Sequence, residues 1–181
     1  MHQSQVVPTG IRRHLEADEI IVTKTDLKGH ITYANDVFLR MSAVAERDAL
    51  GKPHNLIRHP DMPRCVFKLL WDTIKSGNEI FAFVLNLACD GAHYWVLAHV
   101  TPSVDTSGRI VAYHSNRRQP AETAVTAMAG IYSVLKAEED RHSSPVDAIA
   151  AGSALLERTL AEAGMTYDEF VWAQISGRVA A

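Results

Sequence analysis

A proline-rich segment limits what the middle of this chain can fold into. Residues 51–63, with the sequence GKPHNLIRHPDMP, contain three prolines, two histidines, one arginine and one aspartate. Each proline fixes its own φ, removes a backbone donor and restricts the residue before it. A continuous helix therefore cannot run through the segment, and we expect a stiff, irregular loop. A loop that presents arginine, histidine and aspartate side chains in fixed positions suits a ligand with anionic groups or a polar edge.

The hydrophobic patterns on both sides of this loop predict one α+β domain. Alternating or β-branched runs bounded by turn residues predict five strands, at 20–25, 30–33, 80–88, 94–102 and 110–116. Helical spacing of apolar residues predicts three helices or helical turns between the second and third strands, at 35–40, 46–50 and 64–76. The order β-β-α-α-α-β-β-β is typical of a five-stranded antiparallel sheet with its helices on one face.

A helical extension is predicted after Pro120. Apolar periodicity gives helices at 122–139, 146–163 and 167–175, and Thr166 with Glu169 forms a capping-box pattern before the last one. We therefore divide the chain into a lead-in (1–18), the α+β domain (19–119) and the helical extension (120–181). The first extension helix carries an apolar stripe that could pack on the domain or pair with a second copy of the chain. This stripe consists of Val125, Met128, Ile131 and Leu135.

Composition and charge exclude several classes of protein. A net charge of −3 and a pI near 6.3 argue against nucleic acid as a partner, since proteins that bind it need a basic face. No apolar run reaches the roughly 18 to 20 residues that cross a bilayer. The two cysteines, Cys65 and Cys89, are too few for a disulfide scaffold. No grouping of nucleophile, base and orienting residue stands out. We therefore expect a soluble, cytoplasmic protein that is not an enzyme and has no membrane partner.

Several short strings in the α+β domain match one known family. These strings are ITYAND (31–36), PHNLIRHPDMP (53–63), GAHYWV (91–96), VTP (100–102) and YHSNRR (113–118). With these residues, the stretch from Asp26 to Arg118 resembles the PAS sensor domain of the bacterial aerotaxis receptor family. The loop string is much longer than a chance pattern. The resemblance covers about half of the chain and implies the PAS fold for it.

The resemblance also implies a cofactor and a set of residues that bind it. Members of this family hold FAD non-covalently and report the redox or respiratory state of the cell. Carried over by position, the implied flavin-binding residues are Asn35, His54, Asn55, Arg58, His59, Asp61, Trp71 and Asn86. Their chemistry is compatible with that role, because Asn35 can donate and accept at a ring edge, Trp71 can form a wall, and Arg58 can meet phosphate or carbonyl oxygens.

Two departures from the family pattern concern the third strand. Where the family usually has a tryptophan at the start of this strand, the chain has Ile80 followed by Phe81, which weakens one aromatic wall of the expected binding site. Where the family has a basic run before the next turn, the chain has Leu87, Ala88 and Cys89. The strand is therefore apolar on both faces, which predicts a surface that is buried or covered in a dimer.

The sequence leads to the hypothesis of a PAS redox or oxygen sensor. It would hold FAD, form a homodimer and relay the redox state of the flavin to a chemotaxis or two-component signalling protein. Three alternatives remain open: a b-type haem held by His59, His93 or His99, a cofactor-free PAS interaction or dimerisation module, and a ligand-gated sensor of a small metabolite. Cys65 follows Pro63 and Arg64, outside the Asn-Cys-Arg-Phe string of flavin photoreceptors, so we expect it to be a small core residue at a helix start.

Overall fold

A single five-stranded antiparallel sheet forms the centre of the computed structural model, which describes residues 6–177. The strands are β1 (Ile21–Thr25), β2 (Ile31–Ala34), β3 (Ile80–Leu87), β4 (His93–Val104) and β5 (Ile110–Arg118). Their order in the sheet is β2-β1-β5-β4-β3, and every neighbouring pair is antiparallel. β5 lies in the middle of the sheet and joins the pair β1 and β2 to the pair β3 and β4.

Three helices lie between β2 and β3, and three follow β5. The first group is α1 (Asp36–Ser42), α2 (Glu46–Ala49) and α3 (Arg64–Lys75), and the second is α4 (Glu122–Glu139), α5 (Pro145–Glu162) and α6 (Tyr167–Ile175). The proline-rich loop contains only a 3-10 turn at His54–Ile57, as its prolines require. The predicted fold, a five-stranded antiparallel sheet with helices and a C-terminal helical tail, is confirmed.

Asn35 fixes the start of α1 and its distance from the sheet. Its Oδ1 accepts hydrogen bonds from the backbone N–H of Phe38 at 3.1 Å and of Val22 at 3.0 Å. Its Nδ2 donates to the carbonyl oxygen of Ile20 at 2.8 Å. Asparagine is favoured at this position because its side chain satisfies a backbone donor that the first helical turn leaves open. The amide of Asn35 is thus used by the fold itself.

Alternation along the strands separates the two faces of the sheet. On β4, Tyr94, Val96 and Ala98 are buried on the face that α1 and α3 cover, which we call the inner face. The residues between them, including Trp95 and His99, lie on the opposite, outer face. Successive side chains of a strand point to opposite faces, so the register also assigns the faces of β3 and β5.

The helical extension covers the outer face and the β3 edge of the sheet. Tyr132 of α4 stacks on Trp95, with ring centroids 5.8 Å apart and an interplanar angle of 27°. Its hydroxyl donates to the carbonyl oxygen of Phe83 at 2.7 Å. On α6, Trp172 packs on Phe81 with ring centroids 5.0 Å apart. Because β3 is an edge strand, this cover also protects its unpaired backbone groups.

The apolar stripe of α4 packs within the same chain. Val125, Met128 and Leu135 are at most 5% exposed, and Ile131 is half-buried. Of the two arrangements that the sequence left open, the structure therefore has the extension packed on its own domain. The second apolar face of β3 is covered in the same way, by helices of this chain.

The lead-in pairs with the turn between β3 and β4. The backbone N–H of Thr9 donates to the carbonyl of Gly91 at 2.9 Å, and Leu15 is buried in the core. Gly91 has φ +86, and a Cβ there would lie 2.6 Å from the carbonyl oxygen of Val7. Only glycine permits both this conformation and this close approach. Residues 6–15 are thus attached to the sheet, while residues 1–5 of the predicted lead-in lie outside the described part.

Replacing Tyr132 with phenylalanine should loosen the extension. The substitution keeps the ring on Trp95 but leaves the buried carbonyl of Phe83 without its partner, so we expect the free energy of unfolding to fall by about 1–3 kcal/mol. Urea denaturation of both proteins measures the difference. Tyr33→Phe is the control, because Tyr33 is 47% exposed and its loss of a hydroxyl should change little. Equal unfolding free energies for Tyr132→Phe and the native protein would contradict this role.

Candidate functional site

A cavity lies between the inner face of the sheet and helix α3, and we call it the main cavity because buried polar side chains on the sheet line it. It has a volume of about 490 Å³, within the range of roughly 300–1,000 Å³ that small-molecule sites occupy. Its apolar wall is made chiefly by Ile57, Phe67, Leu70, Trp71, Val84 and Val100. Its polar lining includes Thr23, His54, Asn86, Ser115 and Arg117. An apolar slot with a polar end suits a flat, amphipathic ligand.

A buried arginine dominates the polar end of the main cavity. Arg117 is 5% exposed, and its Nη2 donates to Thr23 Oγ1 and to His54 Nε2, both at 2.8 Å. The register places Arg117 beside Ile21 of β1 and Ala98 of β4, so its side chain is on the inner face. Its Nη1 has no hydrogen-bond partner within the described structure.

Two more buried polar atoms of the cavity also lack partners. Asn86 Nδ2 and Ser115 Oγ make no hydrogen bond to the described residues, although Asn86 is 4% and Ser115 7% exposed. Buried polar groups are nearly always paired, because an unpaired one costs the free energy of its lost hydration. Together with Nη1 of Arg117, they are buried polar atoms of the cavity lining that have no partner among the described residues. A ligand with acceptor atoms at its edge would satisfy them.

The histidine in this group is neutral. Burial, followed by the positive charge of Arg117 beside it, lowers the pKa of His54 to about 3. Because Arg117 donates to Nε2, the ring proton of the neutral form lies on Nδ1. Burial also lowers the pKa of Arg117, to about 10, which leaves the guanidinium charged at neutral pH. No carboxylate of residues 6–177 lines the cavity, so this charge has no acidic partner there.

Further basic residues line the exposed end of the cavity. Lys28, Arg64 and Lys68 are exposed at its mouth, and Arg58 is half-buried beside them. The guanidinium of Arg58 lies 4.6 Å from the centroid of the Phe67 ring and donates to the carbonyl of Met62 at 3.3 Å. A cation over a ring face is held by cation–π attraction. The mouth therefore offers several cations to an anionic part of a ligand.

The structure brings five of the eight predicted site residues to the main cavity. These are His54, Asn55, Arg58, Trp71 and Asn86. The Trp71 ring is a wall of the cavity and meets Tyr113 edge-on, with centroids 5.6 Å apart. Gly29 makes room for this ring, because a Cβ there would lie 3.0 Å from two of its atoms.

The other three predicted residues lie outside the lining of this cavity. Asn35 is outside the cavity because its amide caps α1 and ties it to β1. His59 and Asp61 line a second cavity, of about 590 Å³, between α4 and the outer face. There the backbone N–H of Asp61 donates to His59 Nδ1 at 3.1 Å, and the His59 ring faces His93, with centroids 6.0 Å apart. Side chains of the proline-rich loop therefore line both the main cavity and the second cavity.

Several polar residues of the main cavity were missed by the sequence analysis, and three of them are buried on the inner face of the sheet. Thr23, Ser115 and Arg117 come from β1 and β5, and the register pairs Thr23 with Ser115. The signal was present, since each occupies an inward position of its strand, where side chains are usually apolar. A charged residue at such a position needs a partner, and that need marks a site.

The histidines and cysteines that the alternatives invoked also lie outside the main cavity. His59 and His93 line the second cavity, and His99 stacks on Phe81 of the outer face with centroids 4.2 Å apart. Cys65 is buried in the first turn of α3, where burial, followed by the nearby Glu139, raises the pKa of its thiol to about 12. Cys89 is exposed near the β3–β4 turn. Neither thiol lines the cavity.

His54 should make stability depend on pH. Its pKa of about 3 in the folded chain lies below its ordinary value of 6.5, so between these values the unfolded chain binds a proton that the folded chain does not. Stability is therefore lost as pH falls. Between pH 7.5 and 5.0 we expect the native protein to lose about 2 kcal/mol more than His54→Gln, as measured by urea denaturation. His14→Gln, at an exposed position, should behave as the native protein does. Identical losses in His54→Gln and the native protein would show that His54 is not held neutral.

Among residues 6–177, no helix has the length and apolar character needed to span a lipid bilayer. The family described as PAS fold matches residues 15–114, more than half of the chain. The chain is 37% identical to the aerotaxis receptor of Escherichia coli (strain K12) over 123 residues, which cover 68% of this chain and 24% of that protein. It is 26% identical to the nitrogen fixation regulatory protein of Klebsiella pneumoniae over 104 residues, 58% of this chain and 21% of that protein.

A solved structure agrees with these sequence relatives. The light-state structure of the blue-light photoreceptor Aureochrome1 LOV superimposes with a TM-score of 0.55 at 25% identity, over 61% of this chain and 88% of that one. The chain spans about a quarter or less of the length of the two curated relatives. With the family match over more than half of its length and the sheet described above, the chain belongs to the PAS fold family and is a PAS sensor domain related to the aerotaxis receptor.

Proposed function

We propose that this chain is a redox sensor that holds FAD in the main cavity and relays the electron count of the flavin to a signalling partner. The observation that carries the proposal is the group of unpartnered polar atoms on Asn86, Ser115 and Arg117 beside an apolar slot. The similarity to an aerotaxis receptor supports it, because the motifs shared with that family imply FAD. The relatives reported above are receptor, regulatory and photoreceptor proteins, which favours a sensor over an enzyme.

The residues present fit a flavin at both ends of the cavity. Asn86, Ser115 and Arg117 would hold the polar edge of the ring system, whose carbonyl oxygens are acceptors. Phe67, Leu70 and Trp71 would enclose its apolar part. The cations at the mouth would meet the phosphates, which are the anionic groups of both FAD and FMN. When bound, the flavin would supply reversible uptake of electrons.

Arg117 would set how readily the site accepts electrons. Its charge is fixed in a buried place without a carboxylate, so it favours whichever form of a ligand carries more negative charge at that edge. The hydrogen bonds from Nη2 to Thr23 and to the neutral His54 fix the guanidinium. Nη1 would then donate to the ligand. The site therefore orients the ligand before any change in its charge takes place.

Asn86 would pass a change at the ligand to the rest of the molecule. Its amide can donate from one end or accept at the other, so a ligand edge that gains a proton or charge favours a different orientation. Asn86 lies on the edge strand β3 and forms a backbone bridge with Arg58 of the proline-rich loop. A change in charge or protonation at the ligand would therefore act where the β3 edge, the proline-rich loop and the helical extension lie together. Each of these is a candidate two-state element.

The proposal also covers the oligomeric state of the chain, its signalling partner and the role of each of its three parts. We propose that the chain acts as a homodimer and signals to a chemotaxis or two-component protein, with residues 19–119 as the sensor, 1–18 as the lead-in and 120–181 as the extension. Because α4 packs on its own domain, a dimer would use a surface other than the stripe on Val125, Met128 and Leu135. In the haem alternative, His59 and His93 would act in the second cavity, because none of the histidines named for haem lines the main cavity.

An absorbance titration with FAD tests the proposal directly. The native protein should bind FAD and give a flavin spectrum that dithionite bleaches. Arg117→Met removes the buried charge and should weaken FAD binding at least tenfold, about 1.4 kcal/mol, because a hydrogen bond to a charged group is lost. Flavin that the variant retains should have a more negative midpoint potential. Arg118→Met is the matched control, since Arg118 is exposed on the next position of β5 and should leave both values unchanged.

The same titration separates this function from its alternatives. A colourless native protein that does not bind added FAD would support the cofactor-free interaction module. A Soret band would point to haem. Equal FAD affinity for Arg117→Met and Arg118→Met would mean that the buried guanidinium does not face the flavin.

The cations at the mouth should favour flavins that carry phosphate. We expect FAD and FMN to bind more tightly than riboflavin, and the advantage to shrink as salt rises, because exposed charges are screened. The double variant Lys28→Gln and Lys68→Gln should lower the affinity for FAD and FMN severalfold and leave that for riboflavin unchanged. Calorimetric titrations measure all three ligands. The double variant Lys24→Gln and Lys52→Gln removes the same charge from exposed positions outside the cavity and should have little effect. An equal loss for riboflavin would place the phosphates elsewhere.

A further inference from the structure

A carboxylate of the helical extension reaches the first turn of α3. Glu139, the last residue of α4, is 2% exposed. Its Oε2 accepts from the backbone N–H of Arg64 at 2.9 Å, and its Oε1 accepts from the N–H of Cys65 at 2.8 Å. These are the first two residues of α3. The contact joins positions more than 70 residues apart in the chain.

This contact supplies a cap that α3 does not have in its own sequence. The residue before the helix is Pro63, which makes no side-chain capping bond. The first N–H groups of any α-helix lack partners within the helix, and the partial positive charge there favours a carboxylate. No ion pair of the described residues involves Glu139, so its hydrogen bonds are those to α3. Glu139 thus does from another helix what an N-cap residue does from its own.

A glycine of α5 lets the three helices approach at this point. A Cβ on Gly152 would lie 2.8 Å from Glu139 Oε1 and 3.1 Å from Cys65 Sγ. Gly152 is in the middle of α5, where glycine is otherwise unfavourable, and its φ is not in the left-handed region. The absence of a side chain is therefore needed for space. Any larger residue would displace the carboxylate or separate α5 from α3.

Both helices that meet at Glu139 also contribute to the main cavity. Helix α3 lines it with a series of residues that includes Arg64, Phe67 and Trp71. Helix α5 lines it with Ile149, which is three residues before Gly152 and therefore on the same side of the helix. The contact that caps α3 thus also fixes where Ile149 meets the cavity.

We propose that Glu139 is a positioning residue of the ligand cavity, and that docking of the helical extension and ligand binding stabilise each other. Glu139 holds the start of α3, and with it the cavity wall, and its contact with Gly152 keeps Ile149 of α5 at the cavity. Coupling between two such events is reciprocal: a ligand that favours the docked extension is itself bound more tightly when the extension is docked. The inference relies on the proposed function only for the choice of FAD as the probe.

Two matched pairs of variants test the coupling in the full chain. Glu139→Ala removes the cap, and Glu138→Ala, at the preceding position of α4, does not. Gly152→Ala displaces the cap, whereas Gly130→Ala in α4 has open space around its new methyl group. We expect at least tenfold weaker FAD binding for Glu139→Ala and Gly152→Ala and native affinity for Glu138→Ala and Gly130→Ala. Glu139→Gln keeps an acceptor oxygen and should restore part of the affinity.

Hydrogen exchange in α5 gives a measurement that FAD would not change if Glu139 had only a structural role. In the native protein, FAD should slow amide exchange across residues 145–162 at least tenfold, although most of α5 does not touch the cavity. This protection should disappear in Glu139→Ala. Native FAD affinity in Glu139→Ala and Gly152→Ala, or FAD that leaves exchange in α5 unchanged in the native protein, would overturn the inference.

The ligand-free protein distinguishes failure of this inference from failure of the proposed function. If the native protein does not bind FAD, the proposed function fails, but the coupling is still measured by exchange without ligand. Gly152→Ala should then speed exchange along α3 as far as Trp71 at least tenfold. Faster exchange confined to α5 would overturn the coupling.

A second pair avoids the cap altogether, should Gly152→Ala not fold. Ile149→Ala trims the extension at the cavity, and Val146→Ala trims the same helix at a residue that is 75% exposed. Ile149→Ala should speed exchange of the cavity-facing part of α3 several-fold in the ligand-free protein and weaken FAD binding by a similar factor. Val146→Ala should change neither, and equal values for the two variants would overturn the inference.

Discussion

The structure depends on a positive charge that is buried without an acidic partner. The Arg117 guanidinium joins β5 to β1 through Thr23 and to the proline-rich loop through His54, so three parts of the chain are arranged around it. Burying a charge is costly unless polar groups surround it, and here the arrangement leaves one of its nitrogens free toward a cavity. Burial and, after it, the same charge lower the pKa of His54. A positive charge in such a place favours a ligand with an electron-rich edge, as the proposed function requires.

The rigid backbone of the proline-rich loop places side chains in two different cavities. His54 and Arg58 face the main cavity, whereas His59 and Asp61 face the second cavity beside α4. The prolines make this possible, because each side chain keeps the direction that the backbone gives it. A state of the main cavity can therefore influence the surface beneath α4 without a long path. The loop lies where the PAS core and the helical extension meet.

The sequence predicted the elements well and the site only in part, for physical reasons. Periodicity of apolar residues is a local property, so the strands and helices were found, and the capping box at Thr166 is confirmed by the side-chain and backbone bonds of Glu169. An irregular loop has no period, so nothing local showed that His59 turns away from Arg58. Asn35 was assigned to the ligand although its amide is used by the fold. The pairing of Glu139 with α3 is set by packing across the chain, which no local pattern encodes.

The lead-in and the extension both have consequences for how such a domain can be recombined. The family match ends at residue 114, before the last strand ends at Arg118, yet the backbone donors at the start of α3 are satisfied from α4. A fragment cut at the end of the sheet would expose Trp95 and Phe83 to water and leave that helix start bare. The stretch that matches the family is therefore shorter than the part of the chain that packs together. An output domain fused after the sheet would have to supply both a carboxylate for the start of α3 and apolar side chains over Trp95.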